Sequence, residues 1–459
     1  MSDKLNNHSL LDDIMTKVAL SIAGSDPGGG AGIQADIKTF LALGVYGCTA
    51  ITTVTAQNTQ KVSGIYEISP EVIRRQIQSI LIDIPPLAIK IGMVHSKPII
   101  ETVSRSIKGS VVPVILDPIF AAGTGGKLLL DNALESFISE LIPISMLMTP
   151  NVKEAEKLSG VEVKSENNAI KAAEIIKKLG TKSVIIKGGH GDGKYVTDIL
   201  LDSKDNLVKI SNPRINIEDT HGSGCNFSAA ATAFFARGFQ QVDACKLANQ
   251  FVYEAIKKAS NLGKGLIVTD PGSIMYEYAN RYNVLQELQY AVDKIQKLDN
   301  IGRLIPETQS NIAFALPDAK NILDVAGVKG RIIKIESLAR SASFIEFGAS
   351  KHVATAVLSY MFTDRSIRAA MNIKFDEKIL HICQSLFQIS DYERHMEPEG
   401  TKKREGTSVF WGIKNALLKN PKAEVIYHKG DIGKEPMTLV FGRDPKEVIY
   451  KIKKILKKY

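Results

Sequence analysis

The residues best suited to chemistry lie in a short glycine-rich segment, residues 219–225, which reads Asp-Thr-His-Gly-Ser-Gly-Cys. A helical run of small residues follows at 228–233. A glycine-rich turn at a helix start leaves free backbone N–H groups and the positive end of the helix dipole facing one point, which can stabilise a phosphoryl group during transfer. We therefore predict an anion hole at Gly222, Ser223 and Gly224. An ordinary tight turn before a buried helix is the alternative.

Further polar residues follow apolar runs elsewhere in the same half of the chain. Asn151 and Glu154 open a helix after a strand-like segment, and such a pair can hold a hydrated Mg²⁺ beside nucleotide phosphates. An Asn cap with a capping-box acid is the competing interpretation. Lys187 ends an apolar run and would bring an ammonium to the phosphates, while Asp117 ends another and could act through a metal or water. If these residues bind a ligand, the pattern suits Mg²⁺ and nucleotide phosphates.

The elements that must position these residues alternate between apolar runs and helical patterns from about residue 18 to 270. Strands are predicted at residues 18–22, 87–91, 112–116, 146–149 and 183–187, and helices at 32–42, 70–82, 152–158 and 169–179. This rhythm is typical of an α/β fold with a mostly parallel sheet and helices on both faces. Open sheets of this kind bind ligands at the carboxyl ends of their strands, where the polar residues fall.

Several motifs in this order resemble the ribokinase-like superfamily and, within it, the hydroxymethylpyrimidine/phosphomethylpyrimidine kinases of thiamine synthesis. They lie at residues 23–27, 29–36, 55–59, 90–93, 149–151 and 187–190, together with the glycine-rich segment. Two small departures are Gly28, where the family usually has Ser, and Ser223, where it usually has Thr. The resemblance implies ATP-dependent phosphorylation of a hydroxymethylpyrimidine and then of its phosphate.

The resemblance also assigns roles to individual residues. Gln57 and Asp36 are expected to hydrogen-bond the aminopyrimidine, because a Gln amide offers both a donor and an acceptor. Gly24 and Met93 are expected to line its pocket. Cys225 is expected to be the base, with a thiol pKa lowered by the helix N-terminus; a small buried core residue is the alternative. The ATP-binding residues are expected to be Lys187, Asn151, Glu154 and Ser223, with Glu154 and Asp117 at the Mg²⁺.

The C-terminal part differs in charge from the rest. The chain has a net charge of +9, and residues 281–459 carry all of it, which suggests anionic ligands or a solvated basic tail. Segments at 305–312, 330–332, 347–353 and 366–373 resemble ThiN-type thiamine-phosphate synthase domains. That resemblance implies joining of the pyrimidine pyrophosphate to thiazole phosphate, with Arg331 and His352 at the active site. Arg331 is expected to be held in an apolar strand.

The sequence thus predicts an N-terminal extension (1–17), a ribokinase-like kinase domain (18–272), a connecting helix (273–299) and a second, smaller α/β domain (300–459). Four scattered cysteines and no long apolar run indicate a cytoplasmic enzyme. We expect small-molecule substrates (hydroxymethylpyrimidine, its phosphate and thiazole phosphate), no nucleic-acid or membrane partner, and a homo-oligomer. The alternative is a pyridoxal-type vitamin kinase with a non-catalytic, ligand-sensing C-terminal domain.

Overall fold

The computed structural model describes residues 17–188, 193–217, 220–398, 407–431 and 435–459. The predicted N-terminal extension lies outside these residues apart from Lys17, as do Gly189, His190 and Asp219 of the motifs above. The chain forms two compact units, Met1–Met275 and Tyr276–Tyr459. In the described part, every helix is too short or too polar to cross a membrane.

The first unit contains a nine-stranded sheet and helices on both of its faces. Its elements are β1 (Val18–Ser25), α1 (Gly32–Ala42), β2 (Tyr46–Gln57), β3 (Val62–Glu67), α2 (Pro70–Asp83), β4 (Ala88–Ile91), α3 (Lys97–Ile107), β5 (Val114–Leu116), β6 (Leu147–Met148), α4 (Val152–Ser159), α5 (Glu166–Lys178), β7 (Val184–Ile186), β8 (Tyr195–Leu201), β9 (Leu207–Pro213), β10 (Thr220–His221), α6 (Ser223–Ala236), α7 (Gln241–Lys257) and β11 (Ile267–Val268).

The large sheet has the order β3-β2-β1-β4-β5-β6-β7-β8-β9. Strands β2 to β7 in this order pair in parallel, whereas β3 at one edge and β8 and β9 at the other pair antiparallel. The prediction of a mostly parallel sheet is confirmed. The antiparallel edges were not predicted.

Side-chain alternation along the strands builds a core on each face of this sheet. On β1, Leu20 and Ile22 belong to the core beneath α2 and α3, whereas Ala19 belongs to the opposite core, beneath α1, α6 and α7. On β4, Ile89 belongs to the core beneath α2 and α3, and Ala88 belongs to the opposite core. Both faces are therefore covered by helices, so the parallel strands read as continuous apolar runs.

Helix α8 (Ser273–Gln296) begins in the first unit and continues into the second. Its residues Val284, Leu288, Val292 and Ile295 are buried in a core of the second unit. A helix in this region was predicted from the sequence. The predicted limits of the kinase domain (18–272), the connecting helix (273–299) and the second domain (300–459) stay predictions.

The second unit contains a seven-stranded sheet and a small hairpin. Its elements are β12 (Ile312–Ala315), β13 (Val325–Val328), β14 (Ile332–Ile335), β15 (Leu338–Ser341), β16 (Ile345–Phe347), α9 (Lys351–Met361), β17 (Ala369–Lys374), α10 (Glu377–Leu386), β18 (Ile389–Asp391), α11 (Thr407–Lys419), β19 (Val425–His428), β20 (Met437–Gly442) and α12 (Pro445–Lys458).

The seven strands follow the order β16-β13-β12-β17-β20-β19-β18, and only the β18–β19 pair is parallel. Alternation again builds two cores. Ile312 and Phe314 of β12 face a core with α8, α10 and α12, while Ala313 and Ala315 face one with α9 and α11. The prediction of a second, smaller α/β unit is confirmed.

Candidate functional site

A cavity of about 190 Å³ lies at the carboxyl edge of the parallel strands in the first unit. It is lined by the ends of β1, β4, β5 and β7 and by the start of α6. Of the kinase-site residues predicted from the sequence, the lining includes Gly24, Gln57, Met93, Asp117, Asn151, Glu154, Lys187, Gly222, Ser223, Gly224 and Cys225. The predicted residue that is not in the lining is Asp36.

The glycine-rich turn joins β10 directly to α6. Gly222 is the N-cap of α6, with a left-handed φ of 93°, and a Cβ there would lie 1.8 Å from Gly30 O, so no other residue fits. A Cβ on Gly224 would lie 3.1 Å from Lys187 Nζ. The N–H groups of the first helical turn, which have no acceptor within the helix, therefore lie close to an ammonium, an arrangement suited to a phosphoryl group.

Cys225 lies in the first turn of α6 and is buried. Burial raises the pKa of its thiol to about 11, with Asp117 and Asp36 adding to the rise and Lys90 and the Gly32 N–H opposing it. The expectation of a lowered thiol pKa is wrong for this state of the protein. Desolvation of the thiolate outweighs the helix terminus.

Lys90 is a lining residue that the sequence analysis did not assign. Its side chain is fully buried, and Nζ donates to Asp36 Oδ1 at 2.6 Å. Asp36 also accepts from Ser21 Oγ at 2.5 Å, so its carboxylate is engaged behind the wall of the cavity. Burial lowers the pKa of Lys90, but the charges of Asp36, Cys225 and Asp117 outweigh it and raise this pKa to about 12. Lys90 is therefore a fixed cation beside the thiol.

The cavity lining also contains Gln57, Met93 and Gly24. A Cβ on Gly24 would lie 2.6 Å from Thr53 Oγ1 and 3.0 Å from Met93 Sδ, so glycine keeps this wall open. The Gln57 amide nitrogen lies 3.3 Å from His221 Nε2. These groups combine an apolar wall with an amide that can donate and accept.

His221 and Asp26 form a buried pair that the sequence did not reveal. His221 Nε2 lies 3.0 Å from Asp26 Oδ2, and both residues line the cavity. Burial raises the pKa of Asp26, but hydrogen bonds from His221 and from the N–H groups of Ala31 and Gly28 outweigh it and lower this pKa overall. Asp26 therefore organises the loop before α1 and holds His221 next to Gln57.

Asn151 and Glu154 form the capping box of α4. Asn151 Oδ1 accepts from the Glu154 N–H at 2.9 Å, and Glu154 Oε2 accepts from the Asn151 N–H at 2.8 Å. Burial raises the pKa of Glu154 to about 8, Lys187 opposes this rise and Asp117 adds to it. Asn151 and Glu154 can cap the helix and also bind a ligand, because both side chains line the cavity.

Lys187 and Asp117 form an ion pair in the cavity wall. Lys187 Nζ lies 3.1 Å from Asp117 Oδ1, which also accepts from Thr149 Oγ1, while Asp117 Oδ2 accepts from Ser228 Oγ. Asp117 therefore holds the ammonium in place. Among the described residues no three His, Cys, Asp or Glu side chains form a group suited to a metal.

In the second unit, Arg331 was expected to lie in an apolar strand. That expectation is wrong, since Arg331 immediately precedes β14. It is exposed, its backbone has a left-handed φ of 74°, and its guanidinium donates to Thr308 O. The hydrogen bond to Thr308 O, and not an apolar strand, is therefore what holds the Arg331 side chain. A left-handed backbone is uncommon for a residue with a Cβ.

His352 is half-buried near the start of α9. The loop-to-helix expectation for residues 347–354 is confirmed by α9. Near His352 lies His428, which the sequence did not indicate. Burial, followed by the charges of Arg394 and His352, lowers the pKa of His428 to about 3.

The missed residues share a reason. Lys90, His221 and His428 each lie in a short strand, where the sequence gives no sign of which side chain faces a cavity. The dipeptide Thr220-His221 inside the glycine-rich motif could have drawn attention to His221.

Two families match successive parts of the chain. Residues 26–270 match phosphomethylpyrimidine kinase, and residues 287–454 match thiamine-phosphate synthase ThiN. The bifunctional thiamine biosynthesis protein ThiDN of Methanocaldococcus jannaschii is 34% identical over 450 residues, which cover 96% of this chain and 99% of that protein. A hydroxymethylpyrimidine/phosphomethylpyrimidine kinase of Bacillus subtilis is 45% identical over 249 residues, which cover 54% of this chain and 92% of that protein.

A solved structure resembles the first unit. The pyridoxal kinase of Bacillus subtilis, determined as an ADP complex, aligns with a TM-score of 0.53 at 34% identity and covers 57% of this chain and 99% of its own. The fold of the first unit is therefore ribokinase-like.

Proposed function

This chain belongs to the family of bifunctional thiamine biosynthesis proteins, and on that premise we propose which side chains perform each of its two activities. The first unit is a hydroxymethylpyrimidine and phosphomethylpyrimidine kinase that uses ATP. The second unit is a thiamine-phosphate synthase.

In the kinase reaction, Gln57 binds the polar edge of the aminopyrimidine, with Gly24 and Met93 against its ring. This orientation directs the hydroxymethyl oxygen toward Cys225, whose thiolate form takes its proton and becomes the thiol as the oxygen attacks the γ-phosphoryl group. The N–H groups of Gly222, Ser223 and Gly224 stabilise the charge that develops on the phosphoryl oxygens. The observation that carries this proposal is that all these groups line one cavity.

Asp36 acts differently from the role expected of it. Because it pairs with buried Lys90 and does not line the cavity, we assign it the positioning of Lys90. Lys90 in turn lowers the pKa of Cys225 against the effect of burial.

Lys187 and Asn151 bind the phosphates of ATP in this proposal, and Asp117 orients Lys187. Mg²⁺ typically keeps several waters and binds through one or two carboxylates plus substrate phosphates. The donor set of Glu154, Asn151 and Asp117 in one cavity fits a cation held in this way, with Glu154 as the main protein ligand. The cation neutralises phosphate charge when bound.

In the synthase reaction, Arg331 binds the departing pyrophosphate of the pyrimidine substrate and His352 donates a hydrogen bond as negative charge builds on it. Thiazole phosphate is the second substrate. The basic character of residues 281–459 supports an anionic substrate pair. A homo-oligomer and a cytoplasmic location remain parts of the proposal, and four buried free thiols suit a reducing compartment.

A substrate panel tests the kinase assignment against the pyridoxal-type alternative. Purified protein is incubated with Mg·ATP and hydroxymethylpyrimidine, its phosphate or pyridoxal, and products are separated by ion exchange. We expect both pyrimidines to be phosphorylated with a higher kcat/KM than pyridoxal. A preference for pyridoxal would overturn the assignment of Gln57 to an aminopyrimidine.

A further inference from the structure

Four polar residues of the second unit form a group that the proposed function leaves unused: Tyr392, Arg394, Glu397 and His428. We call it the Tyr392 cluster. His428 ends β19, and Tyr392 follows β18, the parallel neighbour of β19. The Tyr392 N–H donates to Tyr427 O at 3.2 Å, and the rings of Tyr392 and His428 lie 5.1 Å apart.

The hydrogen bonding of His428 fixes which ring nitrogen carries its proton. Nδ1 accepts from the Gly430 N–H at 3.1 Å, so in the neutral ring the proton is on Nε2. The ring is 2% exposed, and no residue that the structure describes accepts from Nε2. Burial and the nearby charges of Arg394 and His352 lower the pKa of His428 to about 3, so the ring stays neutral and presents a single donor.

Glu397 presents the complementary group. Its side chain is almost fully buried, and Oε2 lies 3.9 Å from Arg394 Nη2. The other oxygen, Oε1, is buried and accepts from no group among the described residues. Burial, opposed by Arg394 and reinforced by Glu397, raises the pKa of Tyr392, in keeping with both charges lying close to this ring.

Buried polar atoms in native proteins are nearly always hydrogen-bonded, because leaving them unpaired forfeits their interaction with water. A single ligand that satisfied both atoms would accept a hydrogen bond from His428 Nε2 and donate one to Glu397 Oε1. An ionised phosphate only accepts, and its charge would be repelled by Glu397. An aminopyrimidine has a ring nitrogen that accepts and an exocyclic amine that donates.

We propose that the Tyr392 cluster is the aminopyrimidine subsite of the synthase, with His428 Nε2–H donating to a ring nitrogen and Glu397 Oε1 accepting from the exocyclic amine. Arg394 holds Glu397 in position. This inference rests on the proposed function, since it names where the second unit binds the ring of the pyrimidine pyrophosphate. His352 lies within electrostatic reach of His428, so the ring would be bound beside a residue assigned to the chemistry.

The test measures synthase kinetics of the full chain with ready-made pyrimidine pyrophosphate and thiazole phosphate. His428→Phe removes the donor and keeps an aromatic ring, whereas His428→Gln restores an N–H donor. Glu397→Met removes the acceptor, whereas Glu397→Gln retains one. His381→Phe is the matched control, because His381 is an exposed histidine of α10 in the same unit. Thermal melting and kinase activity report on the fold of each variant.

We expect His428→Phe and Glu397→Met to raise KM for the pyrimidine pyrophosphate by about tenfold or more, with KM for thiazole phosphate nearly unchanged and partial recovery in the Gln variants. A pyrimidine pyrophosphate lacking the exocyclic amine should inhibit wild type weakly and lose little further affinity in Glu397→Met. Normal pyrimidine KM values, or equal rises for both substrates in folded variants, would overturn the proposal.

Failure of the proposed function gives a different result, namely no thiamine phosphate from wild type. In that case calorimetric titration of pyrimidine pyrophosphate into Gln57→Ala and into Gln57→Ala/His428→Phe still decides the matter, since the first substitution weakens binding in the kinase unit. Loss of the remaining binding on adding His428→Phe supports the subsite. Unchanged binding refutes it.

Discussion

Lys90 Nζ lies 2.6 Å from Asp36 Oδ1, and both side chains are fully buried. Lys90 also lines the cavity that contains Cys225, and its charge acts against the rise in the thiol pKa. This buried ion pair therefore holds in place a cation that acts on the pKa of Cys225.

Lys90→Met should destabilise the first unit and slow the kinase. Removing one partner of a buried pair typically costs about 3–5 kcal/mol, and losing the cation raises the pKa of Cys225 further. Denaturant unfolding and kcat are the measurements. Lys171→Met, at an exposed lysine of α5, serves as the control and should be neutral. A Lys90→Met protein with wild-type stability and turnover would show that the pair is dispensable.

Cys225→Ser should lower kinase turnover far more than it changes KM for the pyrimidine. The thiol pKa is raised to about 11, so the thiolate fraction grows by about tenfold per pH unit below that value. We expect the wild-type rate of the chemical step to rise between pH 7 and 9, and this rise to be absent in Cys225→Ser. Cys48→Ser, outside the cavity lining, is the control. Near-normal turnover in Cys225→Ser would make the residue a packing group.

Gln57→Ala should weaken pyrimidine binding and leave ATP binding nearly intact. A buried hydrogen bond left unmade costs about 1–3 kcal/mol, which corresponds to a rise in pyrimidine KM of about tenfold. Gln60→Ala, at an exposed neighbour, should change neither constant. An equal loss of ATP affinity would show that the assignment of Gln57 to the pyrimidine is wrong.

Glu154 should release a proton when Mg·nucleotide binds. Its pKa is raised to about 8 by burial, so at pH 7 the ligand-free site holds a protonated carboxyl, which must ionise to bind a cation. Calorimetry at pH 7 in buffers of different ionisation enthalpy should detect release of roughly one proton. Glu154→Gln should abolish the release. If wild type and variant release the same number of protons, Glu154 is not the ligand.

The same raised pKa has a consequence for stability. The folded state binds a proton that the unfolded state loses near its ordinary value of 4.5. Because of this difference in pKa, the free energy of unfolding should fall as the pH rises from 4.5 to about 8. Glu154→Gln should flatten that part of the profile in the absence of ligands.

Arg331→Ala and His352→Ala should each abolish thiamine-phosphate formation and leave pyrimidine phosphorylation unaffected. Each residue lies in the second compact unit, and damage to one folded core should stay within it. Arg365→Ala, at an exposed arginine of the same unit, is the control. Retained synthase activity in both variants would discard the assignments, and loss of both activities together would argue against separable units.

Strand and helix periodicity predicted five of the six parallel strands of the first unit and missed β2. Every kinase-site residue assigned from the motifs except Asp36 lies in the cavity lining. Antiparallel β3 and β9 were missed because they lie at the sheet edges, are largely exposed and lack a continuous apolar run. Strand β8 was missed because it is buried only over residues 198–201. The pKa of Cys225 was predicted in the wrong direction because helix position can be read from a sequence, whereas the depth of burial cannot.

The second unit was harder to predict for a related reason. The residues proposed for its site lie near strand ends far apart in the chain, such as Arg331 before β14 and His428 at the end of β19. No local spacing connects them. The left-handed backbone of Arg331 likewise follows from the turn geometry, which the dipeptide Gly330-Arg331 does not specify.

The central claim is that one chain performs both reactions, and a single incubation tests it most directly. Purified protein receives hydroxymethylpyrimidine, thiazole phosphate and Mg·ATP, and thiamine phosphate is followed by chromatography. We predict that thiamine phosphate accumulates, with ATP consumed at both phosphorylation steps and pyrophosphate released at the last. Accumulation of pyrimidine pyrophosphate without thiamine phosphate, while thiazole phosphate remains in excess, would contradict the account.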